Sequence, residues 1–282
     1  MSSESATRWL LFTDLDGTLL DTENYSYEPA SASLTAIENA GIPVILSSSK
    51  TRAEILRLRD LLGNRHPFVT ENGSVVHVPS ECTEQLKARQ VHHLGASRES
   101  ILTFLNHLRK LHDLRFRGFS DMTAEEISAQ TGLDLESARL AAQKEASEPL
   151  VWEDSADRLG ILRDAVAGRG FRLHQGGRFL HVSGASDKGV ALRWLRDEYA
   201  RAQPEFQWRT IAFGDCPNDF EMLEAADIAV VVRSHLSDQL DVQSPAQVIR
   251  TQSVASVGWA EAAQEFLAHH VPEALDQESS HG

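Results

Sequence analysis

Trp9-Leu-Leu-Phe-Thr-Asp-Leu-Asp-Gly-Thr-Leu-Leu20 begins apolar and turns acidic abruptly. The run from Trp9 to Phe12 suits a buried parallel strand, which is apolar on both faces. Asp14 and Asp16 then stand at its C-terminal end, the edge where open α/β sheets bind ligands. Gly17 allows a sharp turn there. Asp14 is placed to attack phosphorus, since a carboxylate can form an acyl phosphate. Asp16 is placed to handle the leaving-group proton. An Asp-x-Asp pair alone is equally a strand end closed by an Asx turn; the full string is far more specific.

Working outward, strand and helix signals alternate. Pro29 suits the first turn of a helix over residues 29–40, with Gly41 as its stop. Residues 42–46 read as a strand that ends in Ser47-Ser-Ser-Lys-Thr-Arg52. A helix with Ile55, Leu58, Leu61 and Leu62 on one face stops near Gly63, and residues 67–69 form a third strand before Thr70-Glu-Asn-Gly-Ser74. This alternation predicts a parallel sheet with crossover helices.

The rhythm changes after a strand at 75–78 and a polar loop. Helices are expected over 97–112 and 156–167, and Thr123-Ala-Glu-Glu126 reads as a capping box. Gly132 breaks that helix, and another is expected from Leu135 to Glu145. Strands are expected at 115–119 and 148–152, and a hairpin surrounds Gln175-Gly-Gly-Arg178. This block, 84–183, reads as α+β. The first rhythm returns with a helix from Ser186-Asp-Lys-Gly189 and a strand at 210–213 that ends in Gly214-Asp-Cys-Pro-Asn-Asp219. Residues 1–83 and 184–282 are therefore expected to form one α/β unit into which 84–183 is inserted. The polar tail, 273–282, is expected to fray.

Composition narrows the function. The 282 residues are 41% hydrophobic and 24% charged, an ordinary globular balance. A net charge of −14 argues against a nucleic-acid or anionic-membrane surface. Cys82 and Cys216 lie far apart without metal-site spacing, which fits a reducing cytoplasm. The N-terminal apolar run is too short for a signal core or a membrane span, so a cytoplasmic location is expected.

Transfer of a phosphoryl group to aspartate needs a nucleophile, a proton donor, a divalent metal and donors to the equatorial oxygens. Asp215 follows a strand as Asp14 does, and Asp219 lies a helical turn further on. With Asp14 and the carbonyl of Asp16 they make the oxygen-rich set that Mg²⁺ prefers. Ser48 ends the second strand and offers a hydroxyl. Lys188 begins a helix, where ammonium and helix N-terminus both favour an anion. Each residue also has an ordinary explanation. Ser48 is one of three serines in a turn, any of which can face inward. Lys188 alone suits a solvated surface, and Asp215 and Asp219 can cap a helix. Their joint occurrence at matching strand ends outweighs these.

Asp14/Asp16, Ser48, Lys188 and Asp215/Asp219, in that order, resemble the four motifs of the haloacid dehalogenase superfamily of phosphohydrolases. The resemblance implies a doubly wound, Rossmann-like core, catalytic roles for Asp14, Asp16, Ser48 and Lys188, and an inserted cap of the C2 type. Ser48-Ser-Lys-Thr51 stands where many relatives carry Thr-Gly-Arg. Together with Glu71-Asn-Gly73, Gln143-Lys-Glu-Ala-Ser-Glu-Pro149 and Gly176-Gly-Arg-Phe179, it is similar to the C2B-capped mannosyl-3-phosphoglycerate phosphatases, which make the compatible solute mannosylglycerate. Lys144 stands where arginine is common there.

Such a substrate carries a phosphate, a carboxylate and a sugar. Arg178 and Lys144 are the candidates for the carboxylate, and Lys50 stands near the phosphate end. Gln143, Ser147 and His181 are candidates for sugar hydroxyls, and Asn72 and Asn218, beside the motif ends, complete the expected substrate contacts. A glucosyl-3-phosphoglycerate or other hexose-phosphate phosphatase is the nearest alternative, differing at one hydroxyl. A non-catalytic phospho-ligand sensor on the same fold is the alternative from another class, against which the intact acidic residues and Lys188 argue.

Overall fold

The computed structural model describes residues 6–86, 88–176 and 178–271; the expected frayed tail and Gly177 of the hairpin lie outside them. The chain opens with β1 (Ala6–Thr13), α1 (Ser31–Asn39), β2 (Val44–Ser47), α2 (Arg52–Leu62) and β3 (Phe68–Thr70). Then come β4 (Val75–His77), α3 (Ser80–Leu86) and β5 (Val91–His93). A second group follows: α4 (Arg98–His112), β6 (Phe116–Gly118), α5 (Ala124–Thr131), α6 (Leu135–Ala141), β7 (Ser147–Trp152), α7 (Leu159–Gly168), β8 (Arg172–Gly176) and β9 (Phe179–Ser183). The chain closes with α8 (Lys188–Ala202), β10 (Phe206–Gly214), α9 (Phe220–Ala225), β11 (Ile228–Arg233), β12 (Gln247–Val254) and α10 (Ala255–His270).

Eight strands form the larger sheet in the order β12-β11-β10-β1-β2-β3-β4-β5. Those from β12 to β3 run parallel, and β4 and β5 are antiparallel additions at one edge. The strand β1 lies in the middle because its side chains feed both faces. Trp9 and Leu11 pack with Ile37 of α1 and Phe266 of α10, whereas Leu10 and Phe12 pack with Leu192 of α8 and Met222 of α9. Helices on both faces of a mostly parallel sheet make the core doubly wound, as expected. Leu10, Leu11 and Phe12 are fully buried, and each such side chain contributes about 1.5–3 kcal/mol.

The second group builds a four-stranded antiparallel sheet, β6-β7-β9-β8, with its own apolar cluster around Ile101, Leu105, Leu150, Leu162 and Val182. The expected inserted block starts at residue 84, but the sheets divide later. Within that block, Val91, His92 and His93 pair with His77, Val76 and Val75 of the larger sheet. Cys82 and Leu86 of α3 join the apolar cluster beneath that sheet. Three residues at an edge, two of them exposed, carry no alternation from which a strand can be read.

A hydrogen-bonded chain ties the C-terminal helix to the end of β1. The indole Nε1–H of Trp259, itself fully buried, donates to Thr13 Oγ1 at 3.1 Å, and Thr13 Oγ1–H donates to the carbonyl of Asp14 at 2.7 Å. Among the described residues no helix is long and apolar enough to cross a membrane.

Trp259→Ala should lower unfolding free energy by about 3–5 kcal/mol through the cavity it leaves. Trp259→Phe, which keeps most of the bulk and loses the bond to Thr13, should cost about 1 kcal/mol. Urea unfolding followed by far-ultraviolet circular dichroism checks both; equal losses would mean that the hydrogen bond, not packing, dominates at this position.

Candidate active site

The topology gathers the expected residues on one edge of the sheet. Strand order reverses at β1, which has β10 on one side and β2 on the other, so the ends of these strands open a crevice. Thr13 pairs with Phe213 and with Leu46, and the amide of Asp14 donates to the carbonyl of Phe213 at 2.9 Å. Asp14, Ser48 and Asp215 therefore leave three adjacent strands at one level.

At the centre is Lys188, 1% exposed. Its ammonium donates to Asp14 Oδ1 and to Asp219 Oδ1, each at 2.6 Å. The lysine is delivered by the first turn of α8, whose N-cap Asp187 accepts from the amide of Val190 at 2.8 Å. Asp219 uses its other oxygen, Oδ2, to accept the amides of Asp215 (3.0 Å) and Cys216 (3.2 Å). Both of its oxygens are thus engaged in shaping the site. Asp215 accepts the hydroxyl of Thr18 at Oδ1 (2.9 Å), and its carbonyl accepts that of Ser234 (2.8 Å). Gly17 has φ +83°, and a Cβ there would come within 2.8 Å of Asp215 Oδ2, so the turn after Asp16 admits no side chain.

Buried carboxylates around a single ammonium raise each other's proton affinity. Burial, and then the charge of Asp219, push Asp14 up to about 8 against the pull of Lys188. Burial and Asp219 push Asp215 up to about 6, with Thr18 and Ser234 opposing. Burial acts to lower Lys188, but Asp14 and Asp219 outweigh it and hold the ammonium well above the usual lysine range. Burial raises the Cys216 thiol strongly, and Asp219 adds to it, so it stays a thiol. The arrangement carries more negative charge than it neutralises. It fits a divalent cation: the donors are all oxygen, Asp14 and Asp215 hold acidic oxygens at adjoining strand ends, and Asp16 Oδ1 is buried without a hydrogen-bond partner among the described residues. Asp215, Cys216 and Asp219 also lie close enough together to share an ion, although Asp219 is already committed to Lys188 and the loop amides.

Around this centre the other expected residues are distributed unevenly. Asp16 Oδ2 pairs with Lys50 Nζ at 2.6 Å, so Lys50 stands over the proposed proton carrier. Ser48 is buried; its Oγ accepts the amide of Lys50 (3.3 Å), its amide is held by the carbonyl of Val69 and its carbonyl by the amide of Asn72. Asn72 and Asn218 meet side chain to side chain at 3.2 Å. Lys144 reaches across from the second group and donates to the carbonyl of Ser49 at 3.1 Å. Arg178 is exposed at the turn between β8 and β9. His181 is half-buried and stacks on His174, ring centroids 5.1 Å apart; burial pushes it down to about 3, so it is a neutral hydrogen-bonding group at neutral pH.

Two of the expected sugar contacts are otherwise engaged. Gln143 turns back onto the carbonyl of Arg139 (3.3 Å), and the Ser147 hydroxyl donates to Glu71 Oε2 (2.5 Å). Arg172 and His174 were not foreseen. They line a cleft with Asn72, Asp187, Asn218 and Glu221, and Arg172 pairs with Asp187 at 3.1 Å. Strand alternation carried a signal for both: residues 172 and 174 oppose Ser183 and His181 in register and share their face.

The haloacid dehalogenase-like hydrolase family matches residues 11–149, and the sucrose-6F-phosphate phosphohydrolase family matches residues 174–269. A glucosyl-3-phosphoglycerate/mannosyl-3-phosphoglycerate phosphatase of Methanococcoides burtonii is 33% identical over 266 residues, covering 92% of this chain and 97% of that one. Among solved structures, a Thermotoga maritima protein shares the fold with a TM-score of 0.65 at 19% identity, covering 92% of this chain and 97% of its own. A subclass IIB sugar phosphatase of Bacteroides thetaiotaomicron shares it with a TM-score of 0.61 at 17% identity, covering 92% and 99%. With the Methanococcoides relative 33% identical along almost its whole length, and with Asp14, Lys188 and Asp215 gathered in one buried site, the chain belongs to the haloacid dehalogenase-like hydrolases and is a phosphatase.

Proposed function

We propose that this phosphatase is Mg²⁺-dependent and removes the phosphate of a sugar-3-phosphoglycerate, mannosyl-3-phosphoglycerate first, through a phosphoaspartate on Asp14. The observation that carries the substrate is the Methanococcoides relative, whose similarity runs through both sheets and not the larger one alone. That relative's name holds both glucosyl and mannosyl substrates, so glucosyl-3-phosphoglycerate is the second reading. The second group, within the expected block 84–183, serves as the substrate-specificity cap. Its polar face over the cleft, with Lys144, Arg172, His174 and His181, suits a ligand with a carboxylate and several hydroxyls.

The chain's residues divide the work as follows. Lys188 holds Asp14 Oδ1, which leaves Oδ2 to attack phosphorus in line with the departing glycerate oxygen. The P–O bond to glycerate breaks, and the glycerate oxygen takes a proton from Asp16. Lys188 and the Ser48 hydroxyl hold equatorial oxygens. Asp16 then draws a proton from water as the water attacks the phosphoaspartate, which frees Asp14 and releases phosphate. Lys50 sits 2.6 Å from Asp16 and can swing to the phosphate when substrate enters. A divalent cation held by Asp14, Asp215 and the carbonyl of Asp16 would neutralise the phosphate's charge. Arg178 and Lys144 offer cations for the glycerate carboxylate, and His181 a neutral partner for a sugar hydroxyl.

Phosphate release should be fastest with mannosyl- or glucosyl-3-phosphoglycerate in a panel that includes hexose phosphates and p-nitrophenyl phosphate. Equal kcat/KM across the panel would sink the substrate reading. Chelator should abolish turnover, and Mg²⁺ should restore it.

Asp16→Asn should slow phosphorylation of Asp14 by about 10²–10⁴-fold with a sugar phosphoglycerate, whose alkoxide needs a proton. With p-nitrophenyl phosphate, whose phenolate leaves unaided, the same step should slow far less. Single-turnover measurement with both substrates decides; equal slowing would remove Asp16 from the acid role.

Cation binding should also release protons. Asp14 (about 8) and Asp215 (about 6) must be ionised to act as ligands, so protons compete with the metal below these values. Mg²⁺ affinity should therefore rise from pH 5 to pH 8. Calorimetry near pH 6 in two buffers of different ionisation heat counts the released protons, and a count of zero would contradict this ligand set.

A further inference from the structure

Glu71 is a buried carboxylate in the larger sheet's unit whose acceptors are filled by the other group. It follows β3, is 2% exposed and sits in the left-handed region at φ +51°. Its Oε1 accepts the amide of Glu145 at 2.6 Å, and its Oε2 accepts the amide of Ala146 (3.2 Å) and the hydroxyl of Ser147 (2.5 Å). No lysine or arginine among the described residues forms an ion pair with it. A buried carboxylate in an uncommon backbone conformation is costly unless its environment over-determines it. Here three neutral donors from one strap of chain provide that compensation.

The same residue grips the loop that carries Ser48. The amide of Glu71 donates to the carbonyl of Lys50 (3.1 Å), and the next amide, of Asn72, donates to the carbonyl of Ser48 (3.0 Å). The strap is held from its far side by Arg98, whose amide donates to the carbonyl of Glu145 (2.8 Å) and whose guanidinium donates to that of Ala142 (3.1 Å). Lys144, within the strap, reaches the carbonyl of Ser49. Glu71 is thus the joint at which backbone of the phosphate-holding loop and backbone of the substrate-facing strap meet in one set of hydrogen bonds.

We infer that Glu71 is a positioning residue for specificity: it sets the strap 143–147, and Lys144 with it, in register with the loop Ser48–Lys50, so that the parts of a substrate beyond its phosphate are read at a defined distance from Asp14. The inference rests on the proposed reading of the second group as a substrate cap. Glu71 touches none of the groups that carry the phosphoryl transfer through its side chain, so its loss should be felt in recognition rather than in chemistry.

The test is Glu71→Gln, which keeps shape and loses the charge that attracts three donors. Hydrogen exchange at the amides of Glu145 and Ala146 should rise about tenfold or more, and KM for the best sugar-containing substrate of the panel should rise about tenfold. Both kcat and KM for p-nitrophenyl phosphate should stay within about twofold, a split that general destabilisation would not produce. Unchanged exchange, or equal loss on both substrates, would overturn the inference. Because the substrate is whichever sugar phosphate the wild-type enzyme prefers, failure of the glycerate reading leaves this outcome distinct. If Glu71→Gln does not fold, Ser147→Ala removes one donor and leaves the carboxylate in place; the same split, about threefold in KM, is then expected, and its absence overturns the inference equally.

Discussion

The buried ammonium of Lys188 is the contact on which the arrangement depends. It binds Asp14 at the end of the first strand and Asp219 after the tenth, residues 174 and 31 positions away in the chain. An unpaired charge at that depth is untenable, so lysine and carboxylates are placed by mutual need. Removing one partner of such a set strands the others. The site is therefore specified jointly: the N-cap of α8 aims the lysine, Asp219 steadies the loop from Asp215, and Gly17 gives Asp215 room beside the turn. The excess of negative charge that remains suits the same cluster to a cation.

The antiparallel group is held together separately. It has its own apolar cluster, around Ile101, Leu150 and Val182, separate from the two clusters that sandwich the larger sheet. Contacts between the two groups are polar: Lys144 to Ser49, Thr51 to the carbonyl of Leu140 (3.0 Å), Arg172 to Asp187, and the bonds to Glu71. The exposed members of this set exchange with water at modest cost, whereas opening the buried bonds to Glu71 would leave donors and a carboxylate unsatisfied.

The parallel strands and the four motif positions were legible from sequence because they depend on local signals. Fully buried strands are continuous apolar runs, and ligands in such sheets collect at strand ends. The capping box at Thr123 and the left-handed stop at Gly63 were legible for the same reason. Edge strand β5 was not, since its three residues, two of them exposed, owe their conformation to pairing with β4. The helix expected to reach Glu145 ends at Ala141, because the amides of Glu145 and Ala146 bond to Glu71, some 75 residues earlier in the chain. Ser147 read as a sugar ligand for want of that same partner. Arg172 went unnoticed because its ion pair with Asp187 is tertiary, while the adjacent Gly-Gly-Arg turn was conspicuous in sequence.

The pairing of β1 with β10 also has a temporal side. Ala6 lies opposite Phe206, so the innermost strand of the larger sheet waits for a neighbour made some two hundred residues later. During synthesis from the N-terminus, one long apolar edge of β1 stays uncovered while α1, β2 and the whole antiparallel group emerge from the ribosome. Contacts of such separation form slowly, because the loop must close before they give any return. The antiparallel group, whose pairings lie within residues 116–183, can settle meanwhile. Lys188, Asp215 and Asp219 all arrive after it. A nascent or truncated chain therefore presents Asp14 without its ammonium, and hydrolytic competence is acquired only as the final third of the polypeptide docks.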